Sequence, residues 1–258
     1  MILKYLRFIE RFWNMDFKLR TPRLPDGQAN PELRTVFPRN SSLDEILVQL
    51  TVDGFPSVPG KVLVRGEGAG AISSYVAGWM AGQGTDIILL DGANRFDPYM
   101  VSTFSRRALI PPEKLLKKIQ IARAFTCYQM AILIGEKLPL FLEREAMRFQ
   151  TRKPWVILLG PVTPFLDEDV PEREVRPLFE RSLKKMEEMA LGGVPFLLFQ
   201  PPLSSNSKRV DLMRRLIQFS NWVWKISLDD QGTKMVLEKG LIKYPGIKDL
   251  GHQMINPR

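Results

Sequence analysis

The chain has 258 residues, of which 45% are hydrophobic and 25% charged. This composition is typical of a globular protein and excludes low-complexity, collagenous and disordered chains. The single cysteine, Cys127, excludes an internal disulfide and paired-cysteine zinc or redox motifs, and it favours a reducing compartment, the cytoplasm. The single histidine, His252, leaves no histidine-based catalytic triad in the body of the chain and no metal site with paired histidines.

The chain is basic, with 37 lysines and arginines against 28 acidic residues and a net charge of +9. Such a balance favours a polyanionic partner, either nucleic acid or a lipid surface, although many basic proteins bind neither. The excess is concentrated in residues 101–150 and 201–258. No apolar stretch approaches the ~18 residues that a bilayer-spanning helix needs, so we expect no integral membrane association.

The first 40 residues are predicted to form an arm separate from the rest. Apolar side chains recur at helical spacing at Ile2, Leu6, Ile9 and Trp13, with basic residues between them, which predicts a short amphipathic helix. A proline-rich linker follows. The arm is expected to dock on the protein's own core or on a partner, with binding to a lipid surface as the alternative. We therefore divide the chain into an arm, 1–40, and a core domain, 41–258.

The core alternates apolar strands with amphipathic helices. Strands are predicted at 61–67, 85–92, 118–125, 154–160 and 194–200, and helices at 41–50, 73–84, 111–119, 127–149 and 172–193. Continuous apolar strands between helices predict an α/β fold with a mainly parallel sheet covered on both faces. Residues 222–245 hold two alternating runs around a turn, which predicts an antiparallel hairpin at the sheet edge. At least one of Trp222 and Trp224 is expected in the core.

A glycine-rich stretch follows the first core strand, where α/β nucleotide-binding proteins hold phosphate. Compared with the phosphate-loop pattern GxxxxGK[ST], Gly66 matches the first glycine and Ser73 the hydroxyl residue. Ala71 and Ile72 stand at the second glycine and the lysine, so a cation has been replaced by a hydrocarbon. The candidate loop is Gly66, Glu67, Gly68, Ala69, Gly70, Ala71, Ile72 and Ser73.

Several segments in order resemble the core domain of the RecA/RadA recombinase superfamily, closest to the archaeal and eukaryotic recombinases and their paralogues. The resemblance covers about residues 41–246 and is carried by SSLDEIL, GFPSVPGKVLVRGE, LLDGANRFDPYMVSTFSRR, IARAFTCYQM and PFLLFQP. It implies a RecA-like P-loop NTPase fold.

The resemblance also implies which residues would act on ATP, and three of these positions are replaced. The water-polarising carboxylate falls on Ala93, the metal-supporting aspartate on Gly160 and the lysine on Ile72. Ser73, which also suits a helix cap, and Gln200, which resembles a phosphate-sensing glutamine, remain. We therefore predict a pseudo-ATPase with no required cofactor. Binding of ATP and magnesium stays open, for the nucleotide through the loop backbone, but ATP is not expected to be hydrolysed.

Two aspartates near these positions have alternative interpretations. Asp91 and Asp97 are able to supply a displaced carboxylate, but turn and helix-capping roles are favoured for both.

In the recombinases, DNA is held by two loops that follow the fourth and fifth core strands. The first corresponds here to residues 163–176, which are acidic and predicted to repel phosphate. The second holds the candidate DNA-binding residues Lys208, Arg209, Arg214 and Arg215, although such a run also suits a solvated helix face. A second basic cluster is formed by Arg106, Arg107, Lys117 and Lys118.

The sequence thus predicts a noncatalytic RecA/RadA-like paralogue that serves as an accessory or scaffold subunit in DNA repair or recombination. A protein partner or a RecA-like oligomer is expected, with Val36 and Phe37 of the arm as candidate docking residues. The alternative is a recombinase-type ATPase completed in trans by a partner subunit. A weaker third option is a membrane-surface regulator that uses the N-terminal helix.

Overall fold

The computed structural model describes residues 60–146, 153–203, 209–229 and 232–240. The predicted arm at 1–40 and the predicted helix at 41–50 lie outside these ranges. No helix in the described ranges combines the length and apolar character that crossing a membrane requires.

The centre of the described structure is a seven-stranded sheet with the order β3-β2-β4-β5-β1-β6-β7. Its first six strands are mutually parallel, and β7 pairs antiparallel with β6. The predicted parallel sheet and terminal hairpin are thus both confirmed. The strands are β1 Lys61–Gly66, β2 Ile87–Asp91, β3 Ile119–Arg123, β4 Trp155–Leu159, β5 Phe196–Gln200, β6 Trp222–Asp229 and β7 Gly232–Lys239.

Helices cover both faces of this sheet. They are α1 Ala69–Gly82, α2 Pro98–Ala108, α3 Pro112–Leu116, α4 Cys127–Ile132, α5 Leu138–Ala146, α6 Glu172–Leu191 and α7 Val210–Phe219. A π-helical turn, Leu133–Lys137, joins α4 to α5, so the helix predicted over 127–149 is present but changes its winding in the middle. Two helices, α2 and α7, were not predicted as separate elements.

Side chains of the strands alternate between two hydrophobic cores, as strand geometry requires. In β1, Val62 and Val64 face the core beneath α1, α2 and α3, whereas Leu63 faces the core beneath α4, α6 and α7. Trp224 of β6 is buried in the first core, as the sequence predicted for at least one of the two tryptophans, and Trp222 packs against that core.

Because β1, β2, β4 and β5 run parallel, their carboxyl ends meet at one edge of the sheet. In open α/β sheets, ligands bind in the crevice outside this edge. Four features of the predicted site therefore lie at this edge of the sheet. They are the candidate loop after β1, Ala93 after β2, Gly160 after β4 and Gln200 at the end of β5.

Candidate functional site

The turn after β1 is shorter than a phosphate loop. Only Glu67 and Gly68 lie between the end of β1 and Ala69, the first residue of α1. The N–H of Ile72 donates to the carbonyl oxygen of Gly68 at 3.0 Å, so this part of the predicted loop is already helical. Helix α1 therefore begins two residues before Ala71, the position of the pattern's second glycine. Gly68, rather than Ser73, occupies the cap position of this helix.

The first glycine of the candidate loop is explained by packing. Gly66 has φ 118°, and a Cβ at this position would collide with the carbonyl oxygen of Ile226 on the neighbouring strand β6. Only glycine combines this left-handed backbone with so close an approach. Gly66 thus has a structural reason that does not involve phosphate.

Ile72 and Ser73, which stand at the lysine and hydroxyl positions of the pattern, both point into the protein. Ile72 is 1% exposed and belongs to the core beneath α1. Ser73 is fully buried, and its hydroxyl donates to the carbonyl oxygen of Gly70 at 2.6 Å, one turn earlier in the same helix. Ser74, its neighbour, accepts a hydrogen bond at Oγ from the N–H of Asp97 at 3.0 Å. The hydroxyl of Ser73 therefore stabilises its own helix, and the hydroxyl of Ser74 connects α1 to the start of α2.

The ends of β2 and β4 are closed against each other. Gly160 has φ 68°, and a Cβ there would lie 2.6 Å from the Cβ of Ala93 and 2.8 Å from Oγ1 of Thr163. The N–H groups of Gly92 and Ala93 donate to the carbonyl oxygen of Leu159 at 2.7 and 3.1 Å. The position where the resemblance places a metal-supporting aspartate consequently has no room for a side chain.

Gln200 uses its amide inside the protein. It is 1% exposed; its Oε1 accepts from the N–H of Val162 at 3.0 Å, and its Nε2 donates to the carbonyl oxygen of Pro201 at 3.0 Å and to Oγ1 of Thr163 at 3.3 Å. These bonds tie the end of β5 to the segment after β4. Thr163, which carries no sequence signal, thus contacts both Gln200 and the surroundings of Gly160.

The two aspartates have the turn and capping roles that the sequence favoured. Asp91 is fully buried, and its carboxylate accepts from the N–H groups of Arg95 at 3.1 Å and Phe96 at 3.0 Å. Asp97 caps α2, because its Oδ1 accepts from the N–H of Tyr99 at 2.8 Å. Each carboxylate accepts hydrogen bonds from backbone N–H groups of the residues that follow it.

These residues do not fit a magnesium nucleotide. Such a ligand needs a cationic group near the terminal phosphates, a hydroxyl on the metal and a carboxylate behind it. Here Ile72 lies in the core, the hydroxyl of Ser73 is bonded to its own helix, and Gly160 is sterically closed. Within the described ranges, no group of three or more histidine, cysteine or acidic residues is arranged to hold a metal ion.

The predicted DNA-binding residues lie in different surroundings. Arg209 is 9% exposed, and its guanidinium donates to the carbonyl oxygens of Phe165 at 2.9 Å, Asp167 at 2.5 Å and Val170. These contacts give Arg209 a structural role in holding the acidic segment after β4.

The rest of this predicted set is divided. Arg215 pairs with Glu180 on α6 at 2.8 and 3.0 Å, Arg214 is exposed on α7, and Lys208 lies outside the described ranges. The run therefore does not form one continuous basic surface in the described part of the chain.

Comparison with known proteins identifies the fold. No protein-family model and no curated protein matches the chain. Among solved structures, the crystal structure of the RadB recombinase superposes with a TM-score of 0.57 at 14% sequence identity, and the match covers 78% of this chain and 90% of that one. This likeness, together with the strand order, confirms the RecA-like α/β fold that the sequence resemblance implied.

Proposed function

We propose that this protein is a noncatalytic RecA/RadA-like paralogue that acts as an accessory or scaffold subunit in DNA repair or recombination. The observation that carries the proposal is the contact between Gly160 and Ala93, which stand where the family has its metal-supporting and water-polarising carboxylates. The protein would act by binding a partner rather than by turning over ATP.

Phosphoryl transfer depends on charge stabilisation, metal support and orientation of the attacking water. The chain lacks one residue for each of these requirements, at Ile72, Gly160 and Ala93. Packing supports the same conclusion, since Ala93 and Thr163 fill the space that a side chain at position 160 would occupy. Gln200, which resembles the phosphate sensor, already bonds to three protein groups.

The geometry disfavours the alternative of an ATPase completed in trans. A partner subunit is able to offer a cation or a carboxylate from outside, but it cannot make room at Gly160 or withdraw Ile72 from the core. Rearrangement of α1 and of the segments after β2 and β4 would have to come first, and each is held by the backbone hydrogen bonds described above.

Calorimetry with ATP and magnesium, together with a phosphate-release assay on the same full-length chain, tests the proposal. We expect neither tight binding nor turnover. The variant Ser73→Ala should behave as the parent does, as should the control Ser102→Ala, whose hydroxyl makes a similar bond within α2, to the carbonyl oxygen of Pro98. Turnover that Ser73→Ala abolishes and Ser102→Ala preserves would overturn the pseudo-ATPase assignment.

The scaffold role is tested by the arm. Affinity capture with the full-length chain should retain a RecA-like protein, and the double variant Val36→Ser and Phe37→Ser should lose it if the arm docks as proposed. A doubly substituted chain that retains the same partner would place the contact elsewhere and contradict the docking role of these two residues.

A further inference from the structure

A concentration of positive charge lies on α2 and α3. Residues 98–118 contain five basic residues and one acidic residue, a net charge of +4 out of +9 for the whole chain. We name three exposed members of this set the basic corner: Arg106, Lys114 and Lys117. Arg107 is left out because its guanidinium donates to the hydroxyl of Tyr75 at 3.4 Å. Lys118 is excluded because it pairs with Asp86 at 3.2 Å.

Packing turns the basic corner outward. Helix α2 buries Val101 and Ser105, and its Phe104 ring meets Tyr75 of α1 edge to face at 5.6 Å. Helix α3 buries Leu115 against the same core. The opposite faces of both helices, which carry the basic side chains, are therefore left to solvent.

The turn between the two helices is held by paired hydrogen bonds. The N–H of Ile110 donates to the carbonyl oxygen of Ser105 at 3.0 Å, and the hydroxyl of Ser105 donates back to the carbonyl oxygen of Ile110 at 2.5 Å. Leu109, with φ 56°, closes α2 in the left-handed conformation. The basic corner is thus presented on a defined scaffold, which lowers the entropic cost of binding a partner.

Most of this charge is not neutralised within the chain. No acidic side chain lies at ion-pair distance from Arg106, Lys114 or Lys117 in the part of the chain that the structure describes. Two of the three predicted DNA-binding arginines differ in this respect, since Arg209 is bound by carbonyl groups and Arg215 by Glu180, whereas Arg214 is exposed. The two basic regions also lie on opposite faces of the sheet, because α2 belongs to one core and α7 to the other.

The chemistry of the surrounding surface favours nucleic acid over lipid. An interfacial helix needs an apolar face that enters the membrane, whereas the outer side of α2 carries Tyr99, Ser102, Thr103 and Arg106, and Leu109 is an isolated exposed apolar residue. Arginine, lysine and tyrosine side chains on a rigid helix are the groups that contact the phosphates and sugars of DNA.

We infer that the basic corner, Arg106, Lys114 and Lys117, binds the phosphate backbone of duplex DNA without reading its sequence. The choice of DNA as the polyanion rests on the proposed role in DNA repair or recombination. Phosphate contacts of this kind release counterions, so the affinity should fall steeply as salt rises.

Fluorescence anisotropy with a labelled DNA duplex and the full-length chain tests the inference. In the triple variant Arg106→Gln, Lys114→Gln and Lys117→Gln, we expect affinity to fall by about tenfold or more, and the slope of log K against log salt to decrease by about 3. The matched control neutralises three exposed basic residues of α6, Arg173→Gln, Arg181→Gln and Lys184→Gln, and should leave both quantities nearly unchanged.

Thermal unfolding of both variants checks that the fold is intact. Absence of DNA binding by the parent chain, equal losses in the two variants, or an unaffected basic-corner variant would each overturn the inference. So would loss of binding to phosphatidylserine vesicles in the basic-corner variant with DNA binding preserved, since this assigns the surface to lipid. None of these outcomes depends on ATP turnover, so failure here is distinct from failure of the pseudo-ATPase assignment.

Discussion

At the residue scale, the residues of the candidate site are explained by what surrounds them. A glycine at 160 is required by both its backbone and its neighbours, because φ is 68° and Ala93 and Thr163 occupy the space that a Cβ would need. A carboxylate introduced at this position would therefore not create a metal site. It forces apart the segments after β2 and β4.

Substitution of Gly160 by alanine should destabilise the protein more than the same change at Gly84. Both glycines have positive φ, 68° and 85°, but a Cβ at Gly84 meets nothing within 4 Å. Gly84→Ala thus carries only the left-handed backbone strain of about 1 kcal/mol. Gly160→Ala adds overpacking, which costs about a further 1–3 kcal/mol. Urea unfolding of the two variants measures the difference, and equal destabilisation would mean that the segments move apart without strain.

At the element scale, the sequence predicted which helices and strands exist better than where they begin. Helix α1 was expected from Ser73 but starts at Ala69, because alanine and isoleucine in place of the second glycine and the lysine continue the helix rather than open a loop. Helix α2 was missed, although Asp97 and Pro98 are a typical N-terminal cap and first residue.

Arg209 connects elements that are distant in the sequence, so its loss should be costly. It lies at the start of α7 and donates to carbonyl groups of the segment between β4 and α6. Arg209→Leu should lower the free energy of unfolding by about 2–4 kcal/mol, because the carbonyl oxygens lose a charged donor. Arg214→Leu, at an exposed position of the same helix, should have little effect. Urea unfolding that ranks the two variants equally would remove the structural role of Arg209.

At the scale of the whole molecule, two cores lie on opposite faces of one sheet, and charge is distributed unequally over the outer layers. The face covered by α1, α2 and α3 presents the basic corner. The face covered by α4, α6 and α7 pairs much of its basic charge, as in Arg215 with Glu180 and Arg176 with Asp211 at 2.6 Å. Net charge by itself does not reveal this difference, since pairing depends on the folded arrangement.

Cys127 reports on the integrity of the second core. The side chain is fully buried, and burial raises the pKa of its thiol, so the reactive thiolate is disfavoured in the folded protein. We expect a thiol reagent at pH 8 to modify it slowly in native buffer and rapidly in guanidinium chloride. Where opening and closing are fast, Gly160→Ala should raise the native rate by the same factor by which it raises the equilibrium population of the open state. Rapid modification of the native parent chain would contradict the buried environment.

The sequence by itself determined the layer architecture, because alternating apolar strands and amphipathic helices bury their surfaces in essentially one kind of arrangement, a parallel sheet between helices. It also determined the absence of a lysine at Ile72. Only the tertiary structure decided that Ala93 and Gly160 close against each other and that Arg209 binds Phe165, 44 positions away. Such contacts join segments that are remote in the chain, and their distances depend on the packing of intervening elements, which local patterns of hydrophobicity and charge do not encode.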